Sequence, residues 1–279
     1  MAELAWGRRY LMCPPLHFGV LYEINPWMSR EVKVDVDVAN EQWTRLVATL
    51  RAAGAEVVVV EPRPEVPDMV FTANAGVLSG STFVPAHFRH PERRAETEIF
   101  ASWFAEQGWL VDRLPSDLDH EGAGDALPFN GVLLSGYRIR SDAAAGQVLS
   151  EKLGAPVRAV ELVAERMYHI DLTFCPLDDR RALCAPLAWD AYGRRVVEAL
   201  VPEPLWLEDD EAFGFCANSV VVGTRIVMPK VPPRVGRQLE AWGFDAVECP
   251  VGEFLKAGGG CRCLTLALDV DLSGTAPSS

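Results

Sequence analysis

One cysteine near the end of the 279-residue chain has the surroundings of a nucleophile. Cys263 follows the glycine run 258–260, where the absence of side chains lets the backbone approach a ligand closely. A thiol in such a place is a candidate for covalent catalysis. Cys261 competes for the role, because residues two apart on a strand share a face, with Arg262 on the other face. Since free cysteines are commonly small core residues, spacing alone does not choose between the two.

A cysteine nucleophile needs a group that takes up a proton and returns it. His169 is the candidate, because imidazole does both near neutral pH. Glu121 and Asp125 flank a Gly-Ala-Gly stretch, where a carboxylate would be placed to orient the imidazole ring. Considered singly, these residues are commonly structural. Their roles therefore depend on whether the fold brings them together with Cys263.

Four acidic residues stand out near these candidates. They are Asp68, Glu121, Asp125 and Asp171. Gathered around a cysteine they would form an anionic pocket, and the planar guanidinium group with its five N–H donors matches such a pocket best. A metal site is the alternative, but the spacing fits no EF-hand or two-metal motif, and Cys261 and Cys263 lack a second pair of ligands. We therefore expect no metal and no cofactor.

An internal repeat places these residues at matching points. Phe71-Thr72-Ala73-Asn74 is echoed by Phe215-Cys216-Ala217-Asn218, and in both copies a proline follows the asparagine 11 residues later. Five equivalent points are spaced by 51, 46, 47 and 45 residues; they are Asn74, Asp125, Asp171, Asn218 and Cys263. A near-constant period of this length indicates five copies of one unit.

Helices and strands alternate within each unit. A first helix is predicted with Asn40 as N-cap and Gly54 at its C-terminal end, followed by a buried strand, 56–60. Further helices are predicted at 91–108, 141–153, 186–200 and 233–242. With polar residues at one strand end of every unit, the pattern predicts an α/β fold closed into a five-bladed pseudo-symmetric propeller, with the active site on its axis. An ordinary doubly wound sheet is the alternative.

Composition limits the partners and the location. No linker interrupts the series, so we expect a single domain over 1–272 and a flexible tail over 273–279. The formal net charge of −13 disfavours nucleic acid and membrane surfaces as partners. Seven cysteines without a Cys-x-x-Cys pair indicate reduced thiols, and the first ten residues contain no apolar run of signal-peptide length. We expect a cytoplasmic protein.

Taken together, the motifs resemble the guanidino-group modifying superfamily of arginine deiminases, dimethylargininases and amidinotransferases, whose fold is the five-bladed α/β propeller called the pentein. The resemblance covers nearly the whole chain. Leu-Met-Cys-Pro-Pro at 11–15, Ile-Asn-Pro-Trp-Met at 24–28 and Phe-Thr-Ala-Asn at 71–74 look most like the bacterial arginine dihydrolase branch. The resemblance thus implies a cationic small-molecule substrate, with a homo-oligomer as one option for the assembled state.

The resemblance also implies residue roles. Cys263, directly before Leu264-Thr265, matches the catalytic cysteine, whereas Cys261 does not; His169 matches the general acid and base, and Glu121 its partner. The residues implied to surround the guanidinium end are Asp68, Asn74, Asp125 and Asp171. The residues implied to hold the substrate α-carboxylate are Arg140 and Arg93, with Arg94 as the alternative to Arg93, and Asn25 belongs to the same pocket.

Two departures from the superfamily patterns point to the subfamily. Asn74 stands where deiminases and dimethylargininases usually have an aspartate. His169-Ile170-Asp171 stands where dimethylargininases usually read His-x-Lys, and an extra carboxylate there favours unmethylated arginine. We therefore expect hydrolysis of arginine to ornithine, ammonia and carbon dioxide. The alternatives are dimethylarginine hydrolysis, and with less support a deiminase, an amidinotransferase or a noncatalytic binding propeller.

Overall fold

The computed structural model describes residues 3–272, which form five three-stranded sheets. The strands are β1 Arg9–Met12, β2 Glu56–Val59, β3 Gly76–Ser79, β4 Thr82–Pro85, β5 Leu110–Val111, β6 Ala126–Phe129, β7 Val132–Tyr137, β8 Val157–Glu161, β9 Phe174–Pro176, β10 Arg181–Cys184, β11 Glu203–Trp206, β12 Val220–Val222, β13 Arg225–Met228, β14 Asp245–Glu248 and β15 Leu266–Ala267. The helices are α1 Val36–Ala52, α2 Arg94–Glu106, α3 Ala145–Leu153, α4 Ala191–Leu200, α5 Asp209–Phe213, α6 Pro233–Ala241 and α7 Gly252–Leu255.

All five sheets share one construction. A buried inner strand pairs antiparallel with a middle strand, and an outer strand runs parallel to the middle one. A helix connects the middle strand to the outer strand in each sheet, as parallel neighbours require. The inner strands, in the order of the ring, are β15, β3, β6, β9 and β12.

The ring is closed by the last strand of the chain. β15 pairs antiparallel with β1, with Leu266 opposite Leu11, and so supplies the inner strand of the first sheet. The carboxylate of Asp269 reinforces this closure by accepting hydrogen bonds from the backbone N–H groups of Gly7 and Arg8. The predicted five-bladed ring is confirmed, and the doubly wound alternative is wrong.

The equivalent points of the repeat all lie at the same end of the inner strands. Each of the five residues lies within three residues of the start of its inner strand. Asn74 and Asp171 lie in short 3-10 turns, Asp125 directly follows one, and Cys263 lies in the turn before β15. This common geometry brings the polar residues of five sheets to one end of the axis. The predicted extent of the domain, 1–272, stays a prediction, and the predicted tail, 273–279, lies outside the described residues.

Strand β2 is less buried than the sequence predicts. The segment was predicted as a buried strand, but Glu56 and Val59 are exposed, because β2 is the outermost strand of its sheet. An apolar run does not distinguish a central strand from an edge strand covered on one face only. Among residues 3–272, no helix is both long and apolar enough to cross a membrane.

The first helix begins earlier than its apolar pattern predicts. α1 begins after Asp35, whose side chain accepts hydrogen bonds from the N–H groups of Asp37 and Val38, so the prediction of Asn40 as N-cap is wrong. In the first turn only Ala39 is buried, whereas Val36 and Val38 are exposed, so this turn adds one small core residue to the apolar pattern. Gly54, with φ of +99°, follows the helix end as predicted.

Asp35→Ala is expected to lower the free energy of unfolding by about 1 kcal/mol, because two N–H groups of the first turn lose their acceptor. Asn40→Ala is the matched control: Asn40 is exposed within α1, so we expect a change below about 0.5 kcal/mol. Urea denaturation followed by circular dichroism measures both. A larger loss for Asn40→Ala than for Asp35→Ala would contradict the capping role.

Candidate active site

A pocket opens at the axis, at the end of the inner strands where the repeat gathers its polar residues. It is lined by Ile24, Asn25, Asp68, Phe71, Asn74, Arg93, Arg140, Tyr168, His169, Ala257, Gly259 and Cys263. We call it the axial pocket. Most of the side chains predicted from the sequence to act on a substrate are therefore in one place.

The thiol of Cys263 has two polar neighbours. The Asn218 amide donates to Sγ at 3.1 Å, and the thiol donates to Asp171 Oδ2 at 3.3 Å. Burial, and then the charge of Asp171, raise the pKa of the Cys263 thiol well above its usual value. In this state the nucleophile candidate is a protonated thiol whose proton is directed at a carboxylate.

Cys261 is turned away from the axial pocket. The chain at 261–264 forms a turn and not a strand, so the expectation that Cys261 and Cys263 share a face is wrong. The thiol of Cys261 instead faces the carbonyl oxygen of Cys249 at 3.5 Å. The turn thus separates two cysteines that the spacing alone left equivalent.

Asn218 was missed as a site residue, although the repeat equates it with Asn74. Its Oδ1 accepts hydrogen bonds from the backbone N–H groups of Gly260, Arg262 and Cys263, at 3.0, 3.1 and 3.2 Å. Its Nδ2 donates both to Cys263 Sγ and to the carbonyl of Asp171. One buried amide therefore shapes the turn that carries the thiol, and its place in the repeat was the signal that could have identified it.

The glycines beside Cys263 and in the turn after Glu121 leave no room for side chains. A Cβ on Gly259 would lie 2.3 Å from the ring of Phe71, and a Cβ on Gly124 would lie 2.2 Å from Asn74 Nδ2. Both contacts are shorter than atoms tolerate. The glycine runs that drew attention in the sequence are therefore needed for close packing around the axial pocket.

His169, Glu121 and Arg140 form a buried charge-paired group. Glu121 Oε2 lies 2.8 Å from His169 Nε2 and accepts a hydrogen bond from Arg140 Nη1 at 2.7 Å. Although burial opposes it, Arg140 and His169 together hold the pKa of Glu121 well below its usual range. Burial lowers the pKa of His169 to about 4. A neutral imidazole beside a carboxylate carries its proton on Nε2, which leaves Nδ1 as the basic nitrogen.

The two arginines predicted to bind a carboxylate are held by protein groups. Arg140 Nη2 donates a hydrogen bond to the carbonyl oxygen of Ile24, and the guanidinium packs over the ring of Tyr168. Arg93 forms a buried two-bond pair with Glu96 and donates to Asn74 Oδ1 at 2.9 Å. Both nevertheless line the axial pocket.

The alternative to Arg93 lies elsewhere. Arg94 is exposed, and its guanidinium donates to the carbonyl oxygens of Phe88 and Arg89. Of the two neighbouring arginines, only Arg93 lines the axial pocket.

The remaining predicted residues take different positions. Asp68, Asn74 and Asn25 line the axial pocket; Asn74 donates to the carbonyl of Glu121, and Asn25 donates to the carbonyl of Ala257. Burial raises the pKa of Asp68. Burial also raises the pKa of Asp171 to about 7, against the hydrogen bond from Cys263.

Asp125 does not reach the axial pocket. Its carboxylate accepts hydrogen bonds from the Ser141 hydroxyl at 2.6 Å and from the Ile170 N–H at 3.1 Å. Ser141 Oγ in turn accepts the N–H of Glu121. Asp125 thus ties together the chain segments that carry Glu121 and His169. In residues 3–272, no group of three or more His, Cys, Asp or Glu side chains is arranged to hold a metal ion.

The fold and this site define a class, a five-sheet α/β propeller with a thiol, an imidazole and carboxylates around an axial pocket. The eukaryotic N,N dimethylarginine dimethylhydrolase family matches residues 24–270. The chain belongs to this family, and the resemblance drawn from the sequence motifs is confirmed.

Two curated relatives carry different names. The bifunctional arginine dihydrolase/ornithine cyclodeaminase ArgZ of Synechocystis is 42% identical over 264 residues, which are 92% of this chain and 37% of ArgZ. The N(G),N(G)-dimethylarginine dimethylaminohydrolase of Mycobacterium tuberculosis is 38% identical over 263 residues, which are 94% of this chain and 86% of that protein. The chain thus spans little more than a third of the length of ArgZ.

Solved structures agree with these matches. The N-terminal domain of ArgZ, described as an arginine dihydrolase and solved as a cysteine-to-serine variant bound to substrate, superposes with a TM-score of 0.91 at 41% identity. The match covers 95% of this chain and 99% of that domain. A dimethylarginine dimethylaminohydrolase at 19% identity, with a TM-score of 0.77, shares the fold.

Asp171→Asn is expected to raise the reactivity of Cys263 toward iodoacetamide near pH 8. Burial still disfavours the thiolate, but the substitution removes the charge that also raises the thiol pKa, and each unit of decrease gives about tenfold more thiolate. Peptide mass spectrometry over time measures the rate at Cys263. Asp68→Asn is the matched control, because Asp68 is also a buried carboxylate and lines the axial pocket without a contact to the thiol. Equal rates for the two variants would contradict the inferred role of Asp171.

Proposed function

We propose that this chain hydrolyses the guanidinium group of L-arginine through a covalent intermediate on Cys263. One observation carries the proposal: three buried carboxylate oxygens have no hydrogen-bond partner within residues 3–272. They are Asp68 Oδ1, Glu121 Oε1 and Asp171 Oδ1. An unpaired buried acceptor is costly, and a guanidinium supplies five N–H donors and a positive charge. The three oxygens belong to residues around the thiol and imidazole, where such a cation would be attacked.

Binding of the cation would also activate the nucleophile. A guanidinium beside Asp171 offsets the negative charge that raises the pKa of the Cys263 thiol. The thiol proton, directed at Asp171 Oδ2 before the substrate enters, is transferred to His169 Nδ1 once the bound cation favours the charged form of Asp171, and the thiolate attacks the guanidinium carbon. His169 then returns the proton to the departing nitrogen, the C–N bond breaks, and ammonia leaves. The product of this half-reaction is a thiouronium on Cys263.

Hydrolysis completes the cycle. Water gives a proton to His169 and attacks the thiouronium carbon to form a tetrahedral adduct. The C–S bond then breaks, His169 returns its proton to sulfur to restore the thiol, and the hydroxyl proton of the adduct is released to solvent as the carbonyl of citrulline forms. Glu121 keeps the imidazole in one tautomer and stabilises it whenever it is protonated. A second round on the ureido group releases the remaining nitrogen as ammonia and leaves ornithine and carbon dioxide.

Asn74 supports the two-round version. The ureido group of citrulline is neutral and cannot compensate buried carboxylates as a guanidinium does. A pocket with fewer negative charges therefore favours keeping citrulline bound for a second round. Asn74 offers a neutral amide, whose Oδ1 is already engaged by Arg93. ArgZ, whose N-terminal domain is described as an arginine dihydrolase, is similar to this chain over nearly all of that domain.

Dimethylarginine hydrolysis is the second candidate. It is supported by the family match and by the 38% identical dimethylaminohydrolase of Mycobacterium tuberculosis. Against it stands the unpartnered oxygen of Asp171, which needs an N–H donor that dimethylation removes from one nitrogen. Its products would be citrulline and dimethylamine. The cytoplasmic location, the oligomeric state and the absence of a metal or cofactor requirement stay predictions.

Product analysis of the purified protein tests the proposal. With L-arginine we expect ornithine and two equivalents of ammonia, measured by mass spectrometry and an ammonia assay, and little turnover of asymmetric dimethylarginine. Cys263→Ala is expected to lose at least about 10³-fold in rate, because the covalent step is removed. Cys261→Ala is the matched control and should retain activity, since its thiol faces away from the pocket.

Other product patterns would overturn parts of the proposal. Citrulline alone from arginine would contradict the second round, and dimethylamine as the preferred product would establish the second candidate. Equal turnover by Cys263→Ala and the unaltered protein would contradict the covalent mechanism altogether.

A further inference from the structure

Asn218 contacts the reacting sulfur from outside the axial pocket. Its Nδ2 donates a hydrogen bond to Cys263 Sγ at 3.1 Å. The side chain of Asn218 is completely buried, and it is not among the residues that line the axial pocket. Any part that Asn218 has in the proposed reaction must therefore be exerted on the thiol and not on the bound substrate.

The amide of Asn218 can face the thiol only with its nitrogen. The backbone N–H groups of Gly260, Arg262 and Cys263 all point at the other end of the amide, and they need an oxygen as their acceptor. At the nitrogen end, the amide donates both to the carbonyl of Asp171 and to Sγ. A flipped amide would leave three buried N–H donors without an acceptor, which is costly. The turn therefore presents a fixed N–H donor to the sulfur.

The equivalent asparagine of the repeat makes different contacts. Asn74 also donates from Nδ2 to the carbonyl of a site residue, Glu121, but its Oδ1 accepts from the guanidinium of Arg93. Asn74 lines the axial pocket, whereas the amide of Asn218 is directed at Cys263. A hydrogen bond to sulfur is thus not needed to fold the repeated unit, and it is an additional feature of the unit that carries the nucleophile.

A thiolate at this position is in an unfavourable environment. Burial, and then the charge of Asp171, raise the pKa of the Cys263 thiol, whereas hydrogen bonds from the Gly260 N–H and the Asn218 amide lower it. Hydrogen bonds to an ionised acceptor are roughly twice as strong as those between neutral groups. The contact from Asn218 therefore strengthens when the sulfur becomes charged, and an interaction that strengthens on the way to the transition state accelerates the reaction.

We propose that Asn218 is a further catalytic residue, the side-chain hydrogen-bond donor that stabilises the Cys263 thiolate as it attacks the guanidinium carbon. This role rests on the proposed function, in which Cys263 is the nucleophile. The amide neither takes up a proton nor bonds to the substrate. Its Nδ2 stabilises the ionised sulfur, and its Oδ1 holds the turn so that the sulfur stays at the donor.

Asn218→Asp separates the donor from the structural role. Aspartate keeps an oxygen for the three backbone N–H groups, but it offers at most one proton where the amide offers two. We expect alkylation of Cys263 by iodoacetamide at pH 8, followed by peptide mass spectrometry, to slow at least about threefold. Each unit of increase in the thiol pKa leaves about tenfold less thiolate, and the greater nucleophilicity of a more basic thiolate offsets about half of this on a logarithmic scale. An unchanged rate would overturn the proposal.

Thr265→Val is the matched control. Thr265 is buried in the same turn, and its hydroxyl donates to the carbonyl of Arg262 and not to the sulfur. The backbone N–H of Thr265 donates to the same carbonyl, so the substitution leaves that oxygen with a partner. We expect the alkylation rate of Cys263 to stay close to that of the unaltered protein. A loss as large as that in Asn218→Asp would assign the effect to the turn alone and would overturn the proposal.

Turnover of L-arginine gives a second readout. Asn218→Asp is expected to lower kcat by about tenfold or more, as the loss of a hydrogen bond to a charged group predicts, and to leave KM nearly unchanged because the residue does not line the axial pocket. A raised KM with an unchanged kcat would contradict the catalytic role. If the unaltered protein does not turn over arginine, the proposed function fails, whereas the alkylation rates still decide whether Asn218 stabilises the thiolate.

Neutron diffraction covers the case in which Asn218→Asp does not fold. In crystals of the unaltered protein exchanged into heavy water, the nuclear density should show deuterium on the Asn218 amide atom that faces Cys263 Sγ. An amide oxygen facing the sulfur would overturn the proposal. This measurement requires neither a variant nor turnover.

Discussion

Charges buried on the axis must be balanced inside the protein, and this requirement governs the arrangement of the site. Glu121 is shared between Arg140 and His169, and Arg93 is paired with Glu96, all with almost no exposed surface. Removing one partner from such a group leaves an uncompensated buried charge, which typically costs about 3–5 kcal/mol. The short turns before the inner strands are therefore fixed relative to one another by electrostatics as well as by the closed ring.

Some of the buried negative groups have no positive or N–H partner, and this deficit is the basis of the proposed chemistry. Three carboxylate oxygens remain unpartnered, and burial with a neighbouring carboxylate keeps the Cys263 thiol protonated. A site of this kind is poorly reactive until a cation with several N–H donors enters it. The same interactions that recognise a guanidinium would then also favour the thiolate, so binding and activation are one physical event.

The sequence predicted the ring because the repeat was visible in residues that the fold uses identically. A constant spacing of polar residues before apolar strands reflects the common end of the inner strands, which no single element could have revealed. What failed was local. The first turn of α1 buries only the small side chain of Ala39, and the sequence of an edge strand such as β2 resembles that of a central strand.

The sequence predicted which kinds of side chain line the site better than it predicted what each of them contacts. The four acidic residues predicted an anionic pocket that included Asp125, yet Asp125 lies behind the pocket, bonded to Ser141 and Ile170. Asn218 was not predicted as a site residue because its amide is uncharged, although its side chain makes five hydrogen bonds. Spacing could not separate Cys261 from Cys263, since their difference arises from a turn set by that same amide.

Catalysis by Cys263 requires a covalent bond between its sulfur and the guanidinium carbon of the substrate. The most direct measurement is intact-protein and peptide mass spectrometry of protein mixed with L-arginine and quenched in acid during turnover. We expect an added mass of arginine less ammonia on the peptide that contains Cys263, absent from Cys263→Ala and present in Cys261→Ala. Turnover of arginine without any adduct on Cys263, or an adduct on another cysteine, would contradict it.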